Sequence, residues 1–169
     1  MRLADSLLQE LAMEAATTRR VLERVPDAKL AWKPAEKSRT LGQLALHIAT
    51  NPGAVASLAS SNPAELPGFG APEPSPASTA ELLATLDRSV EQATAIVGGM
   101  DDAALAETWR LTGGGRDVLT MPRVALLRTI MLNHWYHHRG QLSVYLRELG
   151  VPVPSIYGPS ADENPFASA

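Results

Sequence analysis

The stretch His134-Trp135-Tyr136-His137-His138-Arg139-Gly140-Gln141 holds three of the chain's four histidines and lies inside a long run of apolar residues at helical spacing. Leu127, Ile130, Met131, His134, His138, Leu142, Tyr145 and Leu149 follow the i, i+3, i+4, i+7 pattern of one helix face. On such a helix His134 and His138 stack on the same side, about 40° apart. They point where the leucines point, into a helical core. Pro122 suits the first turn of this helix, and Gly150 and Pro152 close it after Leu149.

Three more helices follow from the same periodicity. The first runs from about Leu3 to Val25 and stops at Pro26-Asp27. Thr40 is the N-cap of a second, from about Leu41 to Ala59, in which Pro52-Gly53 predicts a kink or a break. Asn62 to Pro76, dense in proline, glycine and serine, reads as a loop. The third helix opens at Thr79 and ends at Gly98-Gly99. After a short helical turn at Asp101–Leu105, Thr108–Thr112 and Asp117–Thr120 pair as a small hairpin through Gly113-Gly114-Gly115. These glycines lack the strand-loop-helix setting and the following Lys-Ser/Thr of a phosphate loop. The tail from Val151 to Ala169 carries Pro152, Pro154, Pro159 and Pro165 and is non-helical, pinned to the surface by Ile156, Tyr157 and Phe166. Four amphipathic helices without a repeat predict an all-α four-helix bundle, one domain over residues 1–169.

Composition narrows the function classes. A net charge of −3 with no basic cluster argues against a partner bound by phosphate neutralisation, so nucleic acid is not expected. With no cysteine, disulfides, thiolate metal sites and cysteine nucleophiles are excluded. The N-terminal residues lack a signal-peptide core, and no apolar run approaches the ~20 residues of a membrane span. A cytoplasmic location with no membrane partner is the expectation.

Two imidazoles at i, i+4 can hold one divalent ion from a single helix. His47, in Leu44-Ala45-Leu46-His47-Ile48, shares one side of the second helix with Leu44, Ile48, Asn51 and Val55, and supplies a third ligand. His138 is preferred over His137, which lies ~100° round the helix and is assigned to the rim. Three neutral histidines leave a coordination position for water or substrate, the pattern of catalytic rather than structural zinc. Imidazole suits nickel, copper and iron as well. Trp135 follows His134, so the His-Glu-x-x-His protease arrangement is absent, as is any Gly-x-Ser-x-Gly elbow. Gln141 and Tyr145, three and seven residues after His138, are candidate orienting groups. Structural hydrogen bonding accounts equally well for Arg139, Gln141 and Arg147, and packing for Trp32, Trp109 and Trp135.

The chain resembles the DinB/YfiT-like superfamily over nearly its whole length. The resemblance rests on Ala31-Trp32-Lys33-Pro34, Thr40 through His47, Asn133-His134 through Gln141, Leu142 through Arg147, and Pro154 through Glu163. It implies an up-down-down-up four-helix bundle with a metal, zinc or nickel foremost, on His47, His134 and His138. Relatives of that kind include transferases and isomerases that use low-molecular-weight thiols. The implied function is a metal-dependent, thiol-dependent S-transferase acting on a small molecule. The alternatives are a non-catalytic metal-binding or stress-associated bundle and a metal-dependent hydrolase. A homodimer is expected from apolar residues outside the main stripe, such as Leu126 and Leu146.

Overall fold

A computed structural model describes residues 2–66, 68 and 72–167, so residues 67 and 69–71 of the expected loop lie outside the described residues. Three long helices come first: α1 (Leu3–Leu22), α2 (Leu41–Ser60) and α3 (Thr79–Gly98). The one-turn α4 (Asp102–Ala106) follows. The last long helix is assembled from α5 (Arg123–Leu126), a π-helical segment (Leu127–Asn133) and α6 (His134–Glu148). Thr40 caps α2 as expected: its hydroxyl accepts from Gln43 N at 3.2 Å, and Gln43 Oε1 accepts from Thr40 N at 2.9 Å.

Side-chain pairings give the helix directions. Arg2 reaches the carbonyl of Gly98 and Thr79 that of Val25, so α1 and α3 are antiparallel. Ser89 meets Thr50 and Gly53 while Gln92 meets Ser57, so α2 and α3 run parallel. Asn51 meets Met131 and Ile48 meets Trp135, an antiparallel pairing of α2 with the last helix. Glu10 pairs with Arg128 and Glu14 with Arg139, which sets α1 parallel to that helix. This is the up-down-down-up order, and the bundle carries a small sheet besides. There β1 (Ala64–Glu65) lies parallel to β2 (Thr108–Gly113), which pairs antiparallel with β3 (Arg116–Pro122). The expected hairpin turns at Gly114 and Gly115, whose φ of 56° and 76° suits glycine.

Three expectations change. First, of the expected kink or break at Pro52-Gly53, the break does not occur: α2 runs through it. Proline lacks the N–H that would bond the carbonyl of Ile48, and Trp135 Nε1 donates to that carbonyl at 2.9 Å instead. Gly53 N donates to Ser89 Oγ at 2.8 Å, and that hydroxyl donates to the carbonyl of Thr50 at 3.0 Å. Second, the buried face of α6 is Trp135, His138, Arg139, Leu142 and Leu146, whereas His134, Tyr145 and Leu149 are half-buried. Arg139 hid this face from hydropathy. Its guanidinium, 1% exposed, pairs with Glu14 at 2.6 Å, bonds Thr18 Oγ1 at 3.1 Å, and lies over the Tyr136 and Tyr157 rings. Third, Leu126 and Leu146 are buried within the chain itself, so they give no apolar surface to a second copy.

The tail, described over residues 151–167, is non-helical, with a turn over 165–167. Polar contacts hold most of it: Arg147 to Asp162, Arg20 to Glu163, and the Tyr157 hydroxyl to Glu14. Phe166, 68% exposed, does not pin it.

The Pro52-Gly53 step fits only because Gly53 has no side chain. A Cβ there would lie 2.7 Å from Gln92 Oε1 and 3.0 Å from the carbonyl oxygen of Ser89. Gly53→Ala is expected to lower the unfolding free energy by about 1–3 kcal/mol through overpacking of α2 on α3. Urea denaturation of the variant beside the parent measures it, and an unchanged midpoint would contradict this packing.

Candidate metal centre

The antiparallel pairing of α2 with α6 brings His47 to His134 and His138. One ring nitrogen from each of the three lies within 4.8 Å of the other two, a group able to hold a metal ion. The ring centroids are 4.3 to 5.2 Å apart, with the planes close to perpendicular. His134 and His138 lie on the border of the core, not at its centre, and so face cavities. His137 is exposed and outside the cluster, its ring centroid 5.0 Å from that of His138.

Hydrogen bonds to the far ring nitrogens fix which atoms face inward. Asn51 Nδ2 donates to the carbonyl of Met131 at 2.7 Å, which turns Asn51 Oδ1 toward His134 Nδ1 at 3.2 Å. Gln141 Oε1 lies 2.5 Å from His138 Nδ1. A carbonyl oxygen only accepts, so both Nδ1 atoms carry the proton and both Nε2 atoms present lone pairs. Those two lone pairs meet at 2.8 Å, where neutral imidazoles have no proton to share. The buried His47 Nε2 has no hydrogen-bond partner among the described residues. Two facing lone pairs without a donor, beside a buried His47 nitrogen without a partner, suit a cation, so the residues fit a divalent metal.

The electrostatics favour neutral ligands. Burial pushes the pKa of His47 from 6.5 down to about 4, with the Arg39 guanidinium and the other two imidazoles adding to the effect. His134 and His138 are lowered as well, burial again being the main cause. Arg39 is held by a two-pronged pair with Glu73, which keeps that carboxyl below its usual range.

Gln141 lies against His138. Tyr145 makes no hydrogen bond to the imidazoles among the described residues; its ring packs edge-on to Trp32, and its hydroxyl is directed to the carbonyl of Arg39 at 3.4 Å. It shares a cavity of about 380 Å³ with Lys37, Arg39, His138 and Gln141. On the other side, His47 and His134 form part of the wall of a cavity of about 530 Å³ between α2 and β1. Sequence reasoning missed Asn51 as the partner of His134. Its position four residues after His47, on the same helix face, was the available signal.

Comparison with known proteins agrees with this architecture. A sequence model described as the DinB family matches residues 1–165. The chain belongs to the DinB family. It is 30% identical over 164 residues to the uncharacterized protein YrdA of Bacillus subtilis (strain 168), a match covering 94% of this chain and 90% of that one. A crystal structure of a DinB-like protein from Bacillus cereus ATCC 10987 superposes with a TM-score of 0.71 at 27% identity, over 90% of this chain and 97% of the other. The DinB-like protein YjoA from Bacillus subtilis shares the fold, with a TM-score of 0.67 at 21% identity over 89% and 97% of the two chains. Among the described residues no helix is long and apolar enough to cross a membrane.

The lowered histidine pKa values carry a pH dependence. Each imidazole is harder to protonate folded than unfolded, so its contribution to stability is full above the unfolded value of 6.5. It is lost as pH falls through the folded value, about 4 for His47. Metal-free protein in chelator is expected to lose stability from pH 6.5 downward, and His47→Gln should flatten the slope. Urea midpoints from pH 8 to 4.5 measure it, and parallel profiles for the two proteins would contradict the assignment.

Proposed function

We propose that His47, His134 and His138 hold one divalent metal ion, zinc or nickel, and that the protein is a metal-dependent enzyme of the thiol-dependent S-transferase type. The observation that carries this reading is the pair of Nε2 lone pairs at 2.8 Å beside the unpartnered His47 Nε2. A metal in such a site lowers the pKa of a bound thiol or water and so supplies a nucleophile at neutral pH. The chain's own residues do the rest. Asn51 and Gln141 keep the Nδ1 protons in place and the Nε2 atoms turned inward. Burial holds the imidazoles unprotonated, and the cavities on either side admit a low-molecular-weight thiol and a small electrophile. Zinc and nickel fit the all-imidazole donor set, and a thiolate binds either better than water does. A cytoplasmic homodimer belongs to the same proposal. Its apolar contact would fall to exposed residues such as Met13 on α1 and Val144 on α6.

Metal analysis of protein prepared without a histidine tag should find about one equivalent per chain. His138→Ala should abolish tight binding, while His137→Ala weakens it only modestly. Gln141→Leu should cost ~10–100-fold in affinity, as the loss of a ligand's hydrogen-bond partner typically does. The reverse order for the two histidine variants would mean that the helix phase is misassigned.

In cobalt-substituted protein, a small thiol should produce a sulfur-to-metal charge-transfer band. The same preparation should conjugate a soft electrophile faster than His138→Ala does. A metal indifferent to several thiols, with turnover of water-derived substrates, would replace the transferase with a hydrolase. Indifference without any turnover would make the ion a staple between α2 and α6.

A further inference from the structure

The cavity on the His47/His134 side is unlike the one on the His138 side. Its apolar lining is Ala54, Val55, Leu58, Ala64 and Ile130, and at about 530 Å³ it falls within the range of small-molecule sites. Three of its polar side chains are committed within the protein. Thr50 Oγ1 donates to the carbonyl of Leu46, Asn51 is shared between Met131 and His134, and Ser57 Oγ accepts from Gln92. Glu65 is the one charged residue among the described residues lining it, and its carboxylate is anchored by Thr112 Oγ1 at 2.6 Å. Lys37 and Arg39 line the cavity on the far side of the cluster instead.

We propose that the α2–β1 cavity is the seat of an uncharged, largely apolar small molecule and that it discriminates against carboxylates and phosphates. Beyond the metal position, an anion would leave water with no cationic side chain to receive it and would meet Glu65. An apolar group loses nothing on entry and gains the burial of its surface against α2 and Ile130. The polar cavity beside His138, with Lys37 and Arg39, is left to any anionic co-reactant. The proposal deepens the metal reading and rests on it only for what the bound molecule would face.

Imidazoles that bind an open metal position can report on the cavity. Cobalt-loaded protein is titrated with imidazole, 4-phenylimidazole and 4-(imidazol-4-yl)benzoate, following the visible cobalt bands. The phenyl compound is expected to bind at least about tenfold more tightly than imidazole, through burial of its ring. The benzoate should lose that advantage. Ala54→Trp, at an exposed position on the cavity wall, should bring the phenyl-to-imidazole ratio close to one, and Glu65→Lys should restore binding of the benzoate. Equal affinities for all three compounds, or a preference for the benzoate in the parent protein, overturn the proposal. If Ala54→Trp changes the molecular mass in light scattering and not the ratio, the groove is a contact between copies and the proposal is also overturned. Failure of cobalt to bind at all defeats the metal reading alone. The cavity is then tested on metal-free protein by saturation-transfer NMR with 4-phenylimidazole, where a signal that Ala54→Trp abolishes supports it and no signal overturns it.

Discussion

A proline in the middle of α2 makes the backbone of that helix depend on another helix. Pro52 cannot donate to the carbonyl of Ile48, and the indole N–H of Trp135 takes its place at 2.9 Å. Both groups are buried, so neither has water as a substitute, and leaving the carbonyl unpaired would cost about 1–3 kcal/mol. Ile48 adjoins His47 and Trp135 adjoins His134. The bond that repairs α2 therefore also sets the axial register of the two helices that bear the histidines. Asn51, bonded to the carbonyl of Met131 and to His134, ties the same register a second time. Sliding α2 along α6 would break both connections at once.

Around this pair the polar residues divide into two kinds. Arg139 follows His138 in the chain but points the other way, into α1, where Glu14, Thr18 and two tyrosine rings enclose it. It is structural, one of the few ways a guanidinium can be buried without a large penalty. Arg147 is likewise used to hold the tail through Asp162. Gln141 is turned to the cluster. Arg39 lies between these kinds. It depresses the His47 pKa, while Glu73 on the same guanidinium acts in the opposite sense. The Arg39 charge is thus offset by Glu73, which lessens the repulsion a metal cation would meet.

The π-helical turn from Leu127 to Asn133 ends where the histidines begin. His134 N donates to the carbonyl of Thr129, five residues back, so the helix is locally wider before it resumes the α form. A phase read through the whole run as regular α-helix is consequently offset. Ile130, Tyr145 and Leu149 come out half-buried while Trp135 and Leu146 are in the core. His134 is half-buried and His138 is 8% exposed, both in reach of His47 and of the cavities.

Much of this was legible in the residues. Apolar spacing located the four long helices to within a few positions, because burial of one helix face needs only local periodicity. Thr40 announced its cap, the glycines after Thr112 announced the hairpin, and the i, i+4 histidines with His47 announced a three-imidazole cluster. The continuity of α2 was not legible, since Pro52 breaks a helix unless a distant donor satisfies Ile48, and nothing near Pro52 in the chain names Trp135. The partner of Arg139 was not legible for the same reason: its acid, Glu14, is 125 residues away in the sequence. The role of Asn51 and the contrast between the two cavities also needed the packed helices. Local sequence determines which face of a helix is apolar, whereas only the tertiary structure decides which buried polar groups find partners, because those partners come from other helices.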